Sequence, residues 1–204
     1  IIMDNLSQKA KENGIPIIRE NSHDILIKLV KNSNAKRILE IGTAIGYSGI
    51  AMLKNSNAKL TTIEHNKDFV KQAHKNFKKE KLSKRVNIIY GDALVEVAKM
   101  VASKKYDGYF DFIFLDGPKA QYSGMLENLL ILLANGGTFV ADNVLFHGYI
   151  DGKNAMPTKR YKTIVKRLNN FIENCKKHPN LTKFELISVE DGMIFAKKVN
   201  NENK

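Results

Sequence analysis

One cysteine, no tryptophan and 4 prolines occur in 204 residues, and each scarcity narrows the reading. A lone Cys175 excludes an internal disulfide and any cysteine-based metal cage. No apolar run approaches the ~20 residues that a membrane span requires, and no charged-then-apolar leader opens the chain. A cytoplasmic protein is therefore the default expectation. The first residues are Ile-Ile-Met, so a start at Met3 and a longer upstream segment are both open. With 43% hydrophobic residues and no repeat or low-complexity linker, residues 1–204 read as one globular domain. Its first 34 residues or so form a helical cap, and the tail 200–204 is expected to fray.

Arginine is scarce as well: 5 of the 33 basic residues, the other 28 being lysine. A formal charge of +12 favours an acidic partner such as nucleic acid. Yet a chain rich in Lys and Asn is what an AT-rich genome gives any protein, and Arg is the better nucleic-acid reader. Charge alone shifts the balance modestly.

What is abundant is alternation. The runs 37–41, 60–65, 85–92, 109–116 and 136–143 are apolar almost throughout, as parallel strands covered on both faces are. Between them lie helical patterns such as 68–80, with Val70, Ala73 and Phe77 on one face, and 124–134. Five such units in succession predict a doubly wound α/β sheet with right-handed crossovers. The end differs. A helix of about five turns from near Pro157 to His178 precedes strands 183–189 and 192–199, separated by the turn-prone Glu190-Asp191. Strands that close can only be antiparallel. A mostly parallel sheet finished by an antiparallel hairpin departs from an ordinary dinucleotide-binding fold and matches the Rossmann-like class I methyltransferase fold.

Three strand ends carry chemistry. The first runs into Leu-Glu-Ile-Gly-Thr-Ala-Ile-Gly-Tyr-Ser, where Gly42 and Gly46 suit a tight turn with backbone close to a ligand. The spacing G-x-x-x-G is not the one that cradles a pyrophosphate. The second strand ends in Glu64, 22 residues past Gly42, where a carboxylate can accept both hydroxyls of a ribose. The third ends in Gly-Asp-Ala, offering Asp92 near an adenine amino group.

From residue 14 to residue 198 the chain resembles the S-adenosylmethionine-dependent O-methyltransferases of the catechol and caffeoyl-CoA type, including their bacterial branch. The resemblance implies that Glu40 to Ser48, with Gly42, Thr43 and Gly46, wraps the methionine and ribose part of that cofactor. It also implies that Glu64 holds the ribose, that Asp92 and Ala93 border the adenine, and that Ile17 lends backbone contacts. The plainer reading of Glu40 is an anion beside a helix start.

The fourth strand ends Leu-Asp-Gly-Pro-Lys-Ala-Gln-Tyr and the fifth Val-Ala-Asp-Asn. As neighbours in a doubly wound sheet these would bring Asp116, Asp142 and Asn143 to one crevice. Two carboxylates and an amide oxygen are hard ligands suited to Mg²⁺ or Mn²⁺, whereas two unpaired carboxylates would repel and be costly to desolvate. The family's signature, D-x-x-K-x-x-Y followed by D-N, is present as Asp116, Lys119, Tyr122, Asp142 and Asn143. It implies that Asp116 also touches the cofactor and that Lys119 is the general base, which a neighbouring cation would help to deprotonate. Gly117-Pro118 ahead of that lysine suggests an open mouth. His147 is a weaker candidate for substrate contact, with an exposed loop histidine the plain alternative. The stripe Tyr161, Ile164, Val165, Leu168, Phe171, Ile172 and Cys175 reads as core, and Lys67, Lys71, Lys75 and Lys78 as a solvated helix face.

For substrate, a hydroxylated uridine in tRNA and a small catechol or phenol both offer a cation two adjacent oxygens. The segment from Tyr149 to Arg167, with Lys153, Lys159, Arg160, Lys162, Lys166 and Arg167, would suit RNA phosphates. Bacterial family members that methylate 5-hydroxyuridine in tRNA look similar through Ala141–Gly148 and this basic stretch. The expectation is therefore transfer to 5-hydroxyuridine, giving 5-methoxyuridine, by a protein that, like its relatives, forms homodimers. An NAD-dependent oxidoreductase would use a glycine loop and Glu64, but it needs neither Asp142-Asn143 nor the hairpin. A non-catalytic RNA-binding protein would explain the charge and not the carboxylates.

Overall fold

The computed structural model describes residues 2–155, 158 and 161–199, with side chains from Leu6 onward. Seven strands form one sheet in the order β3-β2-β1-β4-β5-β7-β6. Strands β1 (Arg37–Ile41), β2 (Lys59–Glu64), β3 (Val86–Tyr90), β4 (Phe110–Leu115) and β5 (Leu133–Asp142) run parallel. Strand β7 (Met193–Lys198) pairs antiparallel with β5 and with β6 (Leu181–Ile187). This is the expected α/β architecture, with the order reversing between β1 and β4, where doubly wound sheets open a crevice.

Period-two alternation sorts the strand side chains between two layers. Leu39, Ile41, Ile113, Leu115, Phe139 and Ala141 face helices α5 (Ala93–Ala102), α6 (Tyr122–Leu132) and α7 (Lys162–Lys177). Ile38, Leu60, Phe112, Phe114 and Val140 face α2 (Glu20–Ser33), α3 (Tyr47–Lys54) and α4 (Lys67–Lys79). The first helix, α1 (Ile2–Glu12), packs beside α3. Glu40 lies between Leu39 and Ile41, so the same alternation turns its carboxylate into the α3 side of the core, and Glu64 and Asp142 share the parity of Leu60 and Val140 on that side.

Two boundaries differ from the sequence pattern. The helical run 124–134 stops at Leu132, and β5 begins at Leu133. Its register jumps from Phe110↔Leu133 to Phe112↔Thr138, and the slack is taken up at Gly136, whose φ of +71° only glycine adopts easily. The α7 helix begins at Lys162; Pro157 lies outside the described residues, as do Lys159, Arg160 and the tail 200–204. The stripe Val165, Leu168, Phe171, Ile172 and Cys175 is buried core, and burial pushes the Cys175 thiol up to about 12. Lys67, Lys71, Lys75 and Lys78 of α4 are exposed. Among the described residues no helix is long and apolar enough to cross a membrane.

Candidate active site

At the carboxyl ends of β1, β2 and β4 lies a cavity of about 400 Å³. Its floor is Gly42–Ala44, one side is Glu64, the other is Asp116–Lys119 with Asn143, and the segment Pro16–Ile18 closes it. Gly42 is obligatory here. Its φ is +98°, and a Cβ would fall 2.2 Å from the carbonyl oxygen of Asp116. The chain after β4 is held against the end of β1 here, the Asp116 amide donating to the Ile41 carbonyl at 2.9 Å.

Glu64 is buried, and both its oxygens are held by its own chain. Oε2 accepts from the Ala44 amide at 2.9 Å and Oε1 from the Asn66 amide at 2.8 Å. The carboxylate thereby orders the glycine turn and sits on the cavity wall. Glu40 does not reach the cavity. Fully buried beneath it, its carboxylate accepts from the Ser48 hydroxyl at 2.5 Å and the Thr62 hydroxyl at 2.7 Å, with Thr43 2.6 Å beyond Thr62. Burial pushes its carboxyl up to about 7 against those two hydrogen bonds, with Asp116 and Glu64 adding to the rise. Ser48 is in the first turn of α3 (Tyr47–Lys54), so the plainer reading, an anion beside a helix start, describes Glu40. Gly46 is likewise off the cavity wall: at φ +87° it caps α3, and a Cβ there would meet the Phe77 ring at 2.9 Å. Ile17, Thr43 and Ser48 do line the cavity.

Asp92 and Ala93 border a separate, smaller cleft of about 20 Å³ that shares Gly42, Glu64 and Pro118 with the main one. Asp92 caps α5 by accepting from the Val95 amide, and its other oxygen accepts from Gln121 Nε2 at 3.2 Å. The Gln121 bond, then the cap, holds the Asp92 carboxyl below its ordinary value. Gln121 Oε1 is buried without a partner. The sequence offered no signal for Gln121.

Strands β4 and β5 bring Asp116, Asp142 and Asn143 together. The Asn143 amide donates to Asp116 Oδ1 at 3.2 Å and to Asp142 Oδ2 at 3.3 Å. Asn143 sits at φ +58°, a region Asn tolerates better than most residues. Tyr122 is buried, and its hydroxyl lies 3.2 Å from the carbonyl of Leu115 and 3.1 Å from that of Asp142, spanning the two strand ends. Lys119 Nζ pairs with Asp116 Oδ1 at 2.9 Å. Burial alone would drive the Lys119 proton off, but Asp116 and then its other neighbours outweigh that and hold the ammonium well above its ordinary range. In this arrangement Lys119 is a cation and not a base; base duty requires that Asp116 be drawn to another charge.

One atom is left over. Asp142 Oδ1 is buried with no hydrogen-bond partner, and burial, then the Asp116 charge, push this carboxyl up to about 7. Asp116 has the Lys119 ammonium, while Asp142 has only the Asn143 amide and one unsatisfied oxygen. That donor set fits a hard divalent cation, with Asn143 presenting its amide oxygen in place of its nitrogen. Among the described residues there is no cluster of three or more His, Cys, Asp or Glu, so any such site depends on Asn143.

The residues assigned to substrate lie farther out. His147 is exposed, off the cavity wall, in a group of rings with Phe146 at 5.0 Å and Tyr149 at 5.9 Å. Lys153 is exposed but paired with Asp151 at 2.9 Å, and Lys166 projects from the exposed face of α7. Arg167 lies 3.5 Å from the carbonyl of Ala120, beside Lys119.

A reversing sheet with an antiparallel β7 inserted before β6, and acids at four strand ends, defines a class I methyltransferase fold. The sequence profile of the O-methyltransferase family matches residues 2–199, and the chain belongs to that family. It is 30% identical over 138 residues to caffeoyl-CoA O-methyltransferase 2 of Petunia hybrida, covering 67% of this chain and 57% of that protein. The chain thus spans a little over half the length of the curated relatives it matches. Among solved structures, a candidate caffeoyl-CoA O-methyltransferase from Staphylococcus aureus superimposes with a TM-score of 0.86 at 31% identity, over 96% of this chain and 91% of that one. An O-methyltransferase from Bacillus cereus in complex with SAH gives 0.80 at 26% identity, over 96% and 90%.

Proposed function

We propose that this protein transfers a methyl group from S-adenosylmethionine to a hydroxyl oxygen, and that a divalent cation held by Asp116, Asp142 and Asn143 is required. The observation that carries the cation is the buried, unpartnered Asp142 Oδ1 beside Asp116. The cofactor is supported by the cavity with Glu64 on its wall and by the SAH in the Bacillus cereus relative. In the transfer the carbon–sulfur bond breaks, sulfur keeps the electron pair, the oxygen–carbon bond forms and the hydroxyl proton leaves. The cation, when bound, lowers the pKa of the hydroxyl and fixes its direction. Gly42–Ala44 and Glu64 orient the cofactor. Lys119, paired with Asp116 at 2.9 Å, is the side chain placed to take the hydroxyl proton, and its own proton would be held less firmly were Asp116 to ligate a cation.

For the acceptor we propose 5-hydroxyuridine in tRNA, supported by the basic stretch around Lys153, Lys166 and Arg167 that follows the Asp142–Asn143 corner. A second reading, a small catechol or phenol, is favoured by relatives named for caffeoyl-CoA. Purified protein given hypomodified tRNA and a catechol in parallel, with and without chelator, separates them. Transfer to tRNA that stops in chelator supports the proposal. Efficient catechol methylation with none to tRNA at low salt promotes the second reading, and full turnover in chelator removes the cation.

A further inference from the structure

The loop after Asn143 is held by a part of the chain far away in sequence. Phe146 and His147 sit consecutively at φ +44° and +57°, a conformation that costs non-glycine residues and persists only where surroundings impose it. What imposes it is the turn between β6 and β7. The Val144 amide donates to the Gly192 carbonyl at 3.0 Å and the Leu145 amide to the Asp191 carbonyl at 2.7 Å. The His147 amide donates to Asp191 Oδ1 at 3.1 Å. Asn143 is therefore fixed on both sides, since the preceding Asp142 pairs with Met193 of β7.

The same turn grips the opposite wall. Asp191 is buried, and its Oδ2 pairs with Arg19 Nη2 at 2.9 Å. Glu190 Oε2 accepts from the Ser22 amide and hydroxyl at 3.0 and 2.8 Å. Arg19 directly follows Pro16–Ile18, which closes the cavity. One carboxylate thus bridges the wall beside the cofactor pocket and the loop that carries Asn143.

We propose that Asp191 is a positioning residue that couples the two walls of the active site, so that the placement of Ile17–Arg19 and that of Asn143–His147 depend on each other through the Arg19–Asp191–His147 chain of contacts. It rests on the proposed function only in its catalytic consequence, since the coupling is a property of the fold. A buried carboxylate held by a charged donor on one oxygen and an amide on the other strengthens and orients both bonds, so removing one donor loosens the other.

The test is hydrogen exchange at the amides of residues 144–148 in wild type, Arg19→Ala, Arg19→Lys and Asp191→Asn, with turnover and S-adenosylhomocysteine binding measured alongside. Arg19 is half exposed, so its truncation leaves the core intact. The expected result is exchange at His147 faster by roughly fivefold or more in Arg19→Ala, the effect of a lost charge-assisted bond, with Arg19→Lys close to wild type. Asp191→Asn should match or exceed Arg19→Ala, and a double variant carrying both Arg19→Ala and Asp191→Asn should add little to Asp191→Asn. Turnover should fall more than cofactor affinity in Arg19→Ala, although Arg19 is on the cofactor side. Unchanged exchange at 144–148 in Arg19→Ala, or fully additive effects in the double variant, overturns the coupling. Absence of any methyl transfer by wild type overturns the proposed function and leaves the exchange result to decide the coupling by itself.

Discussion

The two halves of the crevice treat their acids differently. At the β1–β2 end, Glu40 and Glu64 each have both oxygens occupied by donors from their own chain. At the β4–β5 end, Asp116 and Asp142 share the Asn143 amide, Lys119 pairs with Asp116 alone, and Asp142 Oδ1 has no partner. The first pair is complete and serves as scaffold, shaping the glycine turn and the start of α3. The second pair is incomplete, and a buried carboxylate oxygen without a partner costs stability unless a ligand supplies what is missing. Similar residues at similar strand ends thus divide into those whose bonds are complete and those left open, the pair we propose to hold a cation.

The largest break in that comparison comes from the incomplete end. Asp142→Ala should lower methyl transfer by roughly 10³-fold, the scale of losing a group that stabilises charge in the transition state. The melting temperature of the cation-free protein should hold or rise, because an unsatisfied buried carboxylate disappears. A large drop in melting temperature would place Asp142 with the scaffold acids.

Glu40 sharpens the other side. Its carboxyl ionises near 4.5 when the chain is unfolded and at about 7 in the fold. Below about pH 4.5 both states hold the proton. Between there and 7 the unfolded chain releases it and the folded one does not, so stability falls as pH rises, by up to about 3 kcal/mol across that window. Asp142, pushed up to about 7 as well, acts with the same sign in cation-free protein. Glu40→Gln should flatten the slope of denaturation midpoint against pH between 5 and 8, and an unchanged slope would show that burial of Glu40 sets none of it.

Much of this contrast was invisible in the sequence, and the reason is distance along the chain. Strand ends, the glycine turn and the meeting of Asp116 with Asp142 follow from local pattern and from the rule that alternating units wind a parallel sheet. Whether an acid is satisfied depends on donors from elsewhere: Thr62 for Glu40, Gln121 for Asp92, and Arg19 for Asp191, far along the chain. Glu40 belonged to the cofactor by family resemblance, yet strand alternation turned it inward to Ser48. The early start of β5 was masked because the Leu-rich run 129–133 suits helix and buried strand alike.

Glu64 tests whether a scaffold acid can also serve the ligand. Glu64→Ala should weaken S-adenosylmethionine binding by about 1.5–3 kcal/mol, with part of the loss through the Ala44 amide that it orders. Isothermal calorimetry on folded variant decides, and unchanged affinity removes Glu64 from the cofactor site. The smallest effect is expected outside both ends. Lys166→Glu should raise the Michaelis constant for tRNA a few-fold and lower the salt slope of binding by about 1, with cofactor affinity unaltered. A salt-independent constant would count against RNA.

The most direct test of the division between complete and incomplete acids is a calorimetric titration of Mn²⁺ or Mg²⁺ into the cofactor-loaded wild-type protein, Asp142→Ala and Glu40→Gln. One cation should bind per chain in wild type and in Glu40→Gln, and none in Asp142→Ala. Cation binding that survives Asp142→Ala, or full methyl transfer by wild type in excess chelator, would contradict that division.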